Sequence, residues 1–376
     1  MAGISTLGQY LRQISELKTQ QISFSDLSQQ LSSGKKTQSL SGLGNDIVRS
    51  MRSRVGVDSL ETYNSNITNA NRRINLMINA TKEVKSQTEN ILSGLRLAVQ
   101  EGDFPDLQST QKLAESVYSF VIDLINQTDG ERYLFGGSDT SEPPLTDKGL
   151  LKSALGNFLP DSSDLTNPPL VASGMIGDWG DGTITTDQFI AAYESTSDTV
   201  LGFSNALTSG TAGKTKVQVS DISNFDYTQL ANEGPLKDII RTLGVLKQLP
   251  PVEYAPGALN DPTATTLAQD VAPFPPREKQ DNFYKVINNL IAKLDTSLDK
   301  IDQMQFDLSQ VQAQINIVKT SHTDQIKAYQ DIIGEVEDAD ISEVSVKIKQ
   351  MEIQIQASYQ VTALVSQLTL SNFLGR

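Results

Sequence analysis

The stretches ISTLGQYLRQISELKTQQISFSDLSQQL (Ile4–Leu31) and ISEVSVKIKQMEIQIQASYQVTALVSQLTLSNFL (Ile341–Leu374) lie near the two ends of the chain. In the first, Ile4, Leu7, Leu11, Ile14 and Leu17 recur every three or four residues, and Phe24, Leu27 and Leu31 continue the series. That spacing predicts one apolar stripe along a helix. In the second, Ile341, Val344, Ile348, Met351 and Ile355 do the same. From Val361 the helix turns apolar nearly all round, with Leu364, Val365, Leu368, Leu370, Phe373 and Leu374. A helix with so little polar face is buried or finds partners. Neither stretch makes a globular core alone. The expectation is that they pair with each other and pack against further copies of the chain. The residues assigned to that subunit interface are Ile4, Leu7, Leu11, Ile14, Leu27, Leu31, Ile348, Met351, Ile355, Val361, Leu364, Leu368, Leu370, Phe373 and Leu374.

The flanks of these stretches extend the pattern. Ser5 or Thr6 would cap the first helix, Gly34 of SSGKK would end it, and Thr37–Asn45 reads as a loop. A second helix is expected over 46–101, with Val55, Ile67, Ile74, Ile78, Ile91, Leu95 and Val99 among its apolar positions. After the turn GDFPD a third follows over 107–127. Beyond the middle, Ile287, Leu290, Leu294, Ile301, Met304, Leu308, Val311, Ile315 and Val318 keep a heptad spacing broken only at Ser297. This predicts coiled-coil packing that Gly334 and EVEDAD (Glu335–Asp340) interrupt.

The prolines separate flanks from middle. Of 14, 13 fall between Pro143 and Pro276, and proline breaks helix interiors. The segment from Asp139 to Asp281 also holds 19 acids against 9 bases. Short strands are expected at 182–186 and 216–222, and one helix over 235–249 with Pro235 in its first turn. The fold class expected is mainly α. A long helical bundle or coiled-coil stem is built from both ends, with an inserted β-rich or α+β outer domain. Its parts are a terminal helical pair (1–45 with 335–376), a helical rod (46–140 with 281–334) and the insert (141–280).

A net charge of −14 argues against broad nucleic-acid binding and adhesion to anionic membranes. With no cysteine there are no disulfides or thiolate metal sites. MAGISTLGQY has no basic region followed by an apolar run, so no secretory signal is read there. The single histidine, His322, is in register with the heptad and reads as a packed or half-exposed helix residue rather than a ligand. Glu335, Glu337, Asp338 and Asp340 lack the glycine and terminal glutamate of a calcium loop. They read as an acidic cap on the following helix. Arg49, Arg52 and Arg54 form either a solvated face or a contact with an acidic surface of a neighbouring subunit. Tyr133 and Phe135 read as core anchors. No constellation supports catalysis, and no cofactor or metal is expected.

SSGKK after an amphipathic start, an asparagine-rich second helix and an apolar C-terminal run after EDAD together resemble the bacterial flagellin superfamily. DGERYLFGGSDT (Asp129–Thr140) is similar to the hook–filament junction family within it. So is ASYQVTALVSQLTLSNFL (Ala357–Leu374), where Val365-Ser366-Gln367 replaces the Ala-Asn-Gln usual in flagellins. The resemblance covers about residues 1–140 and 283–376. It implies an extracellular structural subunit of the flagellum, exported by the flagellar type III apparatus, with its terminal helices forming an inner tube. The partners it implies are copies of itself, flagellin, a second hook-associated junction protein and an export chaperone on the C-terminal helix. The other reading under this resemblance is a flagellin that forms the filament itself.

Overall fold

The computed structural model describes residues 2–101, 107–130, 132–156, 158–160, 170–172, 174–180, 182–250 and 277–374. On the terminal helices, side chains are described over 11–33 and 341–367. GDFPD and most of the return segment before residue 277 therefore lie outside the described residues. The chain forms two compact units, 1–62 with 320–376, and 63–319.

In the larger unit the core is the antiparallel pairing of two long helices. Helix α2 spans Ile47–Glu101 and α10 spans Arg277–Glu337. Within this unit Thr68 meets Lys319, Asn75 meets Gln312, Lys85 meets Asp302 and Arg96 meets Asp295. Numbers rise on one helix as they fall on the other, which fixes direction and register. The heptad positions Ile287, Leu290, Leu294, Ile301, Met304, Leu308 and Ile315 are all buried, and Val311 and Val318 pack partly against the same core. Ser297, where the heptad breaks, is also buried; its hydroxyl donates to the Lys293 carbonyl at 2.8 Å. A polar residue fits there because the helix's own backbone satisfies it.

Helix α3 (Leu107–Ile125) adds Ala114, Val117, Tyr118, Val121 and Ile125 to the core. The segment after it is an anchor, not a strand. Leu134 and Phe135 are buried. Arg73 reaches from α2 to Asp129 at 2.7 Å and to the Tyr133 carbonyl at 2.9 Å. Gly137 stands at φ +64°, where an added Cβ would meet the Gly213 carbonyl oxygen at 2.6 Å. That backbone and that approach both demand glycine.

The insert takes the α+β form. Its helices are α4 (Leu150–Leu155), α5 (Gly174–Gly180), α6 (Thr186–Glu194), α7 (Asp198–Leu201), α8 (Asn205–Thr208) and α9 (Gly234–Leu246). Two antiparallel two-stranded sheets accompany them, β1 (Phe158–Pro160) with β2 (Leu170–Ala172) and β3 (Lys216–Gln218) with β4 (Asn224–Asp226). The strand expected at 182–186 is absent. Thr185 instead caps α6 in a capping box with Gln188, a competing use of a Thr at a helix start. The strand expected at 216–222 is cut to three residues by a turn in which the amides of Val219 and Ser220 bond the Ser223 carbonyl. Trp179 stacks on Phe189 at 4.9 Å, and its indole nitrogen donates to Thr186. Pro235 lies in the first turn of α9, as expected.

The heptad residues should dominate stability. Leu294→Ala is expected to cost about 2–5 kcal/mol, whereas Ile317→Ala, at a position 71% exposed, should stay within about 0.5 kcal/mol. Urea unfolding followed by circular dichroism measures both.

Candidate assembly interface

In the smaller unit helix α1 (Ala2–Ser33) pairs with α11 (Ile341–Leu374). Helix α1 already starts at Ala2, so Ser5 and Thr6 lie inside it rather than capping it. Gly34, at φ +69°, ends it as expected. The two helices run antiparallel. Gly34 lies beside Ala339 at one end, Ser358 donates to Gln20 at 3.1 Å further along, and Gln21 donates to the Tyr359 hydroxyl at 2.7 Å.

The half-buried residues of α1 include Gln13, Leu17, Gln20, Phe24 and Leu27. On α11, Val344 is buried, and Ile348, Met351, Ile355, Ser358, Thr362 and Val365 are half-buried. Both sets step four-three-four-three, the spacing of a coiled-coil seam. Its apolar members gather toward the Gly34–Ala339 end. At the other end Gln13, Ser358 and Thr362 share the positions with Leu17 and Val365, and Gln13 Oε1 is buried without a hydrogen-bond partner.

A second apolar set is left outside. Leu11, Ile14 and Ile22 are exposed on α1, and Val346, Ile353, Val361 and Leu364 on α11. At 100° per residue, Leu11 and Ile22 stand opposite the seam of their helix, as do Val346, Ile353 and Leu364 on theirs. The single stripe expected on α1 is thus two. Leu11, Ile14 and Leu17 are separated by two three-residue steps in succession, which carries the stripe onto another face. Of the residues expected at the interface, Leu27, Ile348, Met351 and Ile355 meet in the seam. Leu11, Ile14, Val361 and Leu364 face away from it, and Leu31 is exposed at the edge. Ile4, Leu7, Leu368, Leu370, Phe373 and Leu374 lie on these helices, but their side chains fall outside the described ones. From Ile353 to Leu374 α11 carries no charged residue.

The pair is closed at its base by a cluster that the sequence did not announce. Lys36 N donates to the Glu337 carbonyl at 2.7 Å and Ala339 N to the Gly34 carbonyl at 2.9 Å, joining the turn after α1 to the turn before α11. The Glu337 carboxylate, 7% exposed, accepts from Ser50 at 2.5 Å and from Arg54 at 2.6 and 3.0 Å, with Lys35 Nζ at 3.5 Å. Lys35 also bonds Asp338 at 2.6 Å, and Arg49 bonds Glu335 at 2.8 Å. So the acids facing Arg49 and Arg54 come from the same chain, and Arg52 is exposed. Gly334 does not interrupt α10, which runs on to Glu337. A single helical glycine costs only about 1 kcal/mol, a small loss beside the Glu337 contacts. Of the acids expected to cap α11, Asp340 alone does so, accepting from the amides of Ser342 and Glu343.

Val55, expected in the core of α2, is exposed, on one face with Val48 and Met51. Gly56 lies against Tyr329, whose ring would meet an added Cβ at 2.7 Å. His322 is buried, as expected of a packed helix residue, and burial lowers its pKa. Among the described residues no group of three or more His, Cys, Asp or Glu could hold a metal ion. Nor is any described helix long and apolar enough to cross a membrane.

Residues 291–374, which take in α10 from Ile291 and all of α11, match the bacterial flagellin C-terminal helical region. No curated protein matches the chain. Among solved structures, the chain is similar to a putative flagellar hook-associated protein from Vibrio parahaemolyticus. The identity is 11% and the TM-score 0.48, over 79% of this chain and 100% of that one. It is also similar to Bacillus cereus FlgL, at 13% identity and TM-score 0.39 over 74% of this chain and 96% of that one.

Hydrogen bonds from Arg54 and then Ser50, with the Arg54 and Lys35 charges, hold the Glu337 pKa down to about 2 against the opposing effect of burial. A depressed carboxylate contributes stability above its unfolded pKa and loses it as pH falls through the folded value. The cluster should therefore hold at neutral pH and open between about pH 4.5 and about pH 2. The amide resonances of Lys36 and Ala339 report this, and in Glu337→Gln their acid transition should disappear.

Proposed function

We propose that this chain is a hook–filament junction adaptor that assembles with copies of itself through the outer faces of α1 and α11. The observation that carries the reading is the second apolar set, Leu11, Ile14 and Ile22 with Val346, Ile353, Val361 and Leu364. It is left in water by the pair that buries the first. Apolar surface gathered on one helical pair marks an interaction site. Copies joined head to tail give rings or helical tubes, which suits an element meant to be surrounded on all sides.

The junction position rests on the resemblance of DGERYLFGGSDT, now seen as an anchor under α2, and of ASYQVTALVSQLTLSNFL. On this reading the chain leaves the cell through the flagellar type III apparatus with its ends unfolded, the last helix held by an export chaperone. It would then sit outside the cell, with a second hook-associated protein on one side and flagellin on the other, and present residues 141–280 outward. The flagellin C-terminal region also suits a filament subunit, so a flagellin that polymerises without limit is the second reading.

Purified chain seeded with filament fragments and viewed by electron microscopy separates the two: short caps on fragment ends are expected, and long filaments would overturn the junction reading. Ile353→Asp with Leu364→Asp should abolish assembly in sedimentation while leaving the urea midpoint of the larger unit unchanged, because both side chains are exposed in the single chain.

A further inference from the structure

We propose that the cluster around Glu337 is a coupling clasp, which makes α1 and α11 order and release together as one element. The inference is independent of where in the flagellum the chain sits.

The seam between α1 and α11 is unevenly built. Near the clasp it holds Phe24, Leu27, Val344, Ile348 and Met351, and only Val344 is buried. Far from the clasp, Gln13, Gln20, Ser358 and Thr362 interrupt the apolar Leu17 and Val365 at positions where a stable coiled coil carries aliphatic side chains. Polar seam residues weaken pairing, so the far half does not hold itself together. The two helices are also about three hundred residues apart in sequence, and closing so long a loop opposes their meeting.

The clasp removes that obstacle. The bonds Lys36 N to Glu337 O and Ala339 N to Gly34 O hold the end of α1 and the start of α11 side by side. Lys36 Nζ adds bonds to the carbonyls of Glu335 and Val336 at 2.7 and 3.1 Å. With these made, the seam closes at high effective concentration and zips outward from Leu27 and Val344. The Glu337 carboxylate positions the bridge. It is the last residue of α10, and its side chain is fixed by Ser50 and Arg54 of α2 while its carbonyl receives Lys36. The carboxylate also draws in Lys35 Nζ, at 3.5 Å, on the turn that follows α1.

Hydrogen–deuterium exchange of the full chain, free and in sedimented assemblies at neutral pH, tests this. In Glu337→Gln, peptides from 11–31 and from 344–365 should lose protection together and by similar factors, roughly tenfold or more given the worth of charged hydrogen bonds. Peptides from 67–95 and 287–315 should not change. Ala339→Pro, which deletes one of the two bridge donors and leaves every charge in place, should do the same. Arg54→Glu combined with Glu337→Arg should restore part of the protection. Loss confined to 34–39 and 335–340 would overturn the proposal. So would unequal loss in α1 and α11, or terminal helices without protection in the unsubstituted chain in both states.

Discussion

Everything in the smaller unit depends on the two ends of the chain returning to each other. Two backbone bonds, between Lys36 and Glu337 and between Gly34 and Ala339, make that return. They are ordinary antiparallel bonds, and alone each is worth about 1 kcal/mol. What makes them count is the carboxylate beside them, largely removed from water and met by a guanidinium and a hydroxyl. A buried charge without those partners would be costly. The residues that supply the partners are therefore fixed as tightly as the turn itself.

The larger unit solves a different problem by different means. Its core is a long heptad seam, and its charges sit along the edges in pairs that register α2 against α10. The insert adds short elements that bury Trp179, Phe189 and Tyr193, with Phe203 in the turn between two of them and α9 supplying an aliphatic face. Such elements have little stability of their own. Their order comes from the surface that those aromatic groups remove from water.

Much of this was legible in the sequence wherever periodicity carries the signal. The heptad from Ile287 to Val318 gave both the helix and its buried face, and the proline distribution separated the insert from its flanks. The apolar stripe of α1 was legible as a helix that pairs with α11, but not in all the residues that make the seam. Gln13 and Gln20 occupy seam positions, and a reading by hydrophobicity passes over glutamine. The four-three spacing that joins them to Leu17, Phe24 and Leu27 was the available signal. The clasp was not legible at all. Its acids and bases are about three hundred residues apart, and nothing local distinguishes Glu337 from Glu335. Gly334 misled because a glycine ends a helix only when the following contacts allow it, and here Glu337 holds the last turn.

The charge-free run from Ile353 to Leu374 has a consequence for the conditions under which copies can associate. Contacts among ions at a surface weaken as salt screens them, over about 8 Å at physiological ionic strength. Contacts made by Ile353, Val361 and Leu364 do not. They strengthen slightly when structure-making salts are added. A joint built on these side chains would not weaken as salt is added. The charges that respond to acidity lie at the base of the pair, around Glu337.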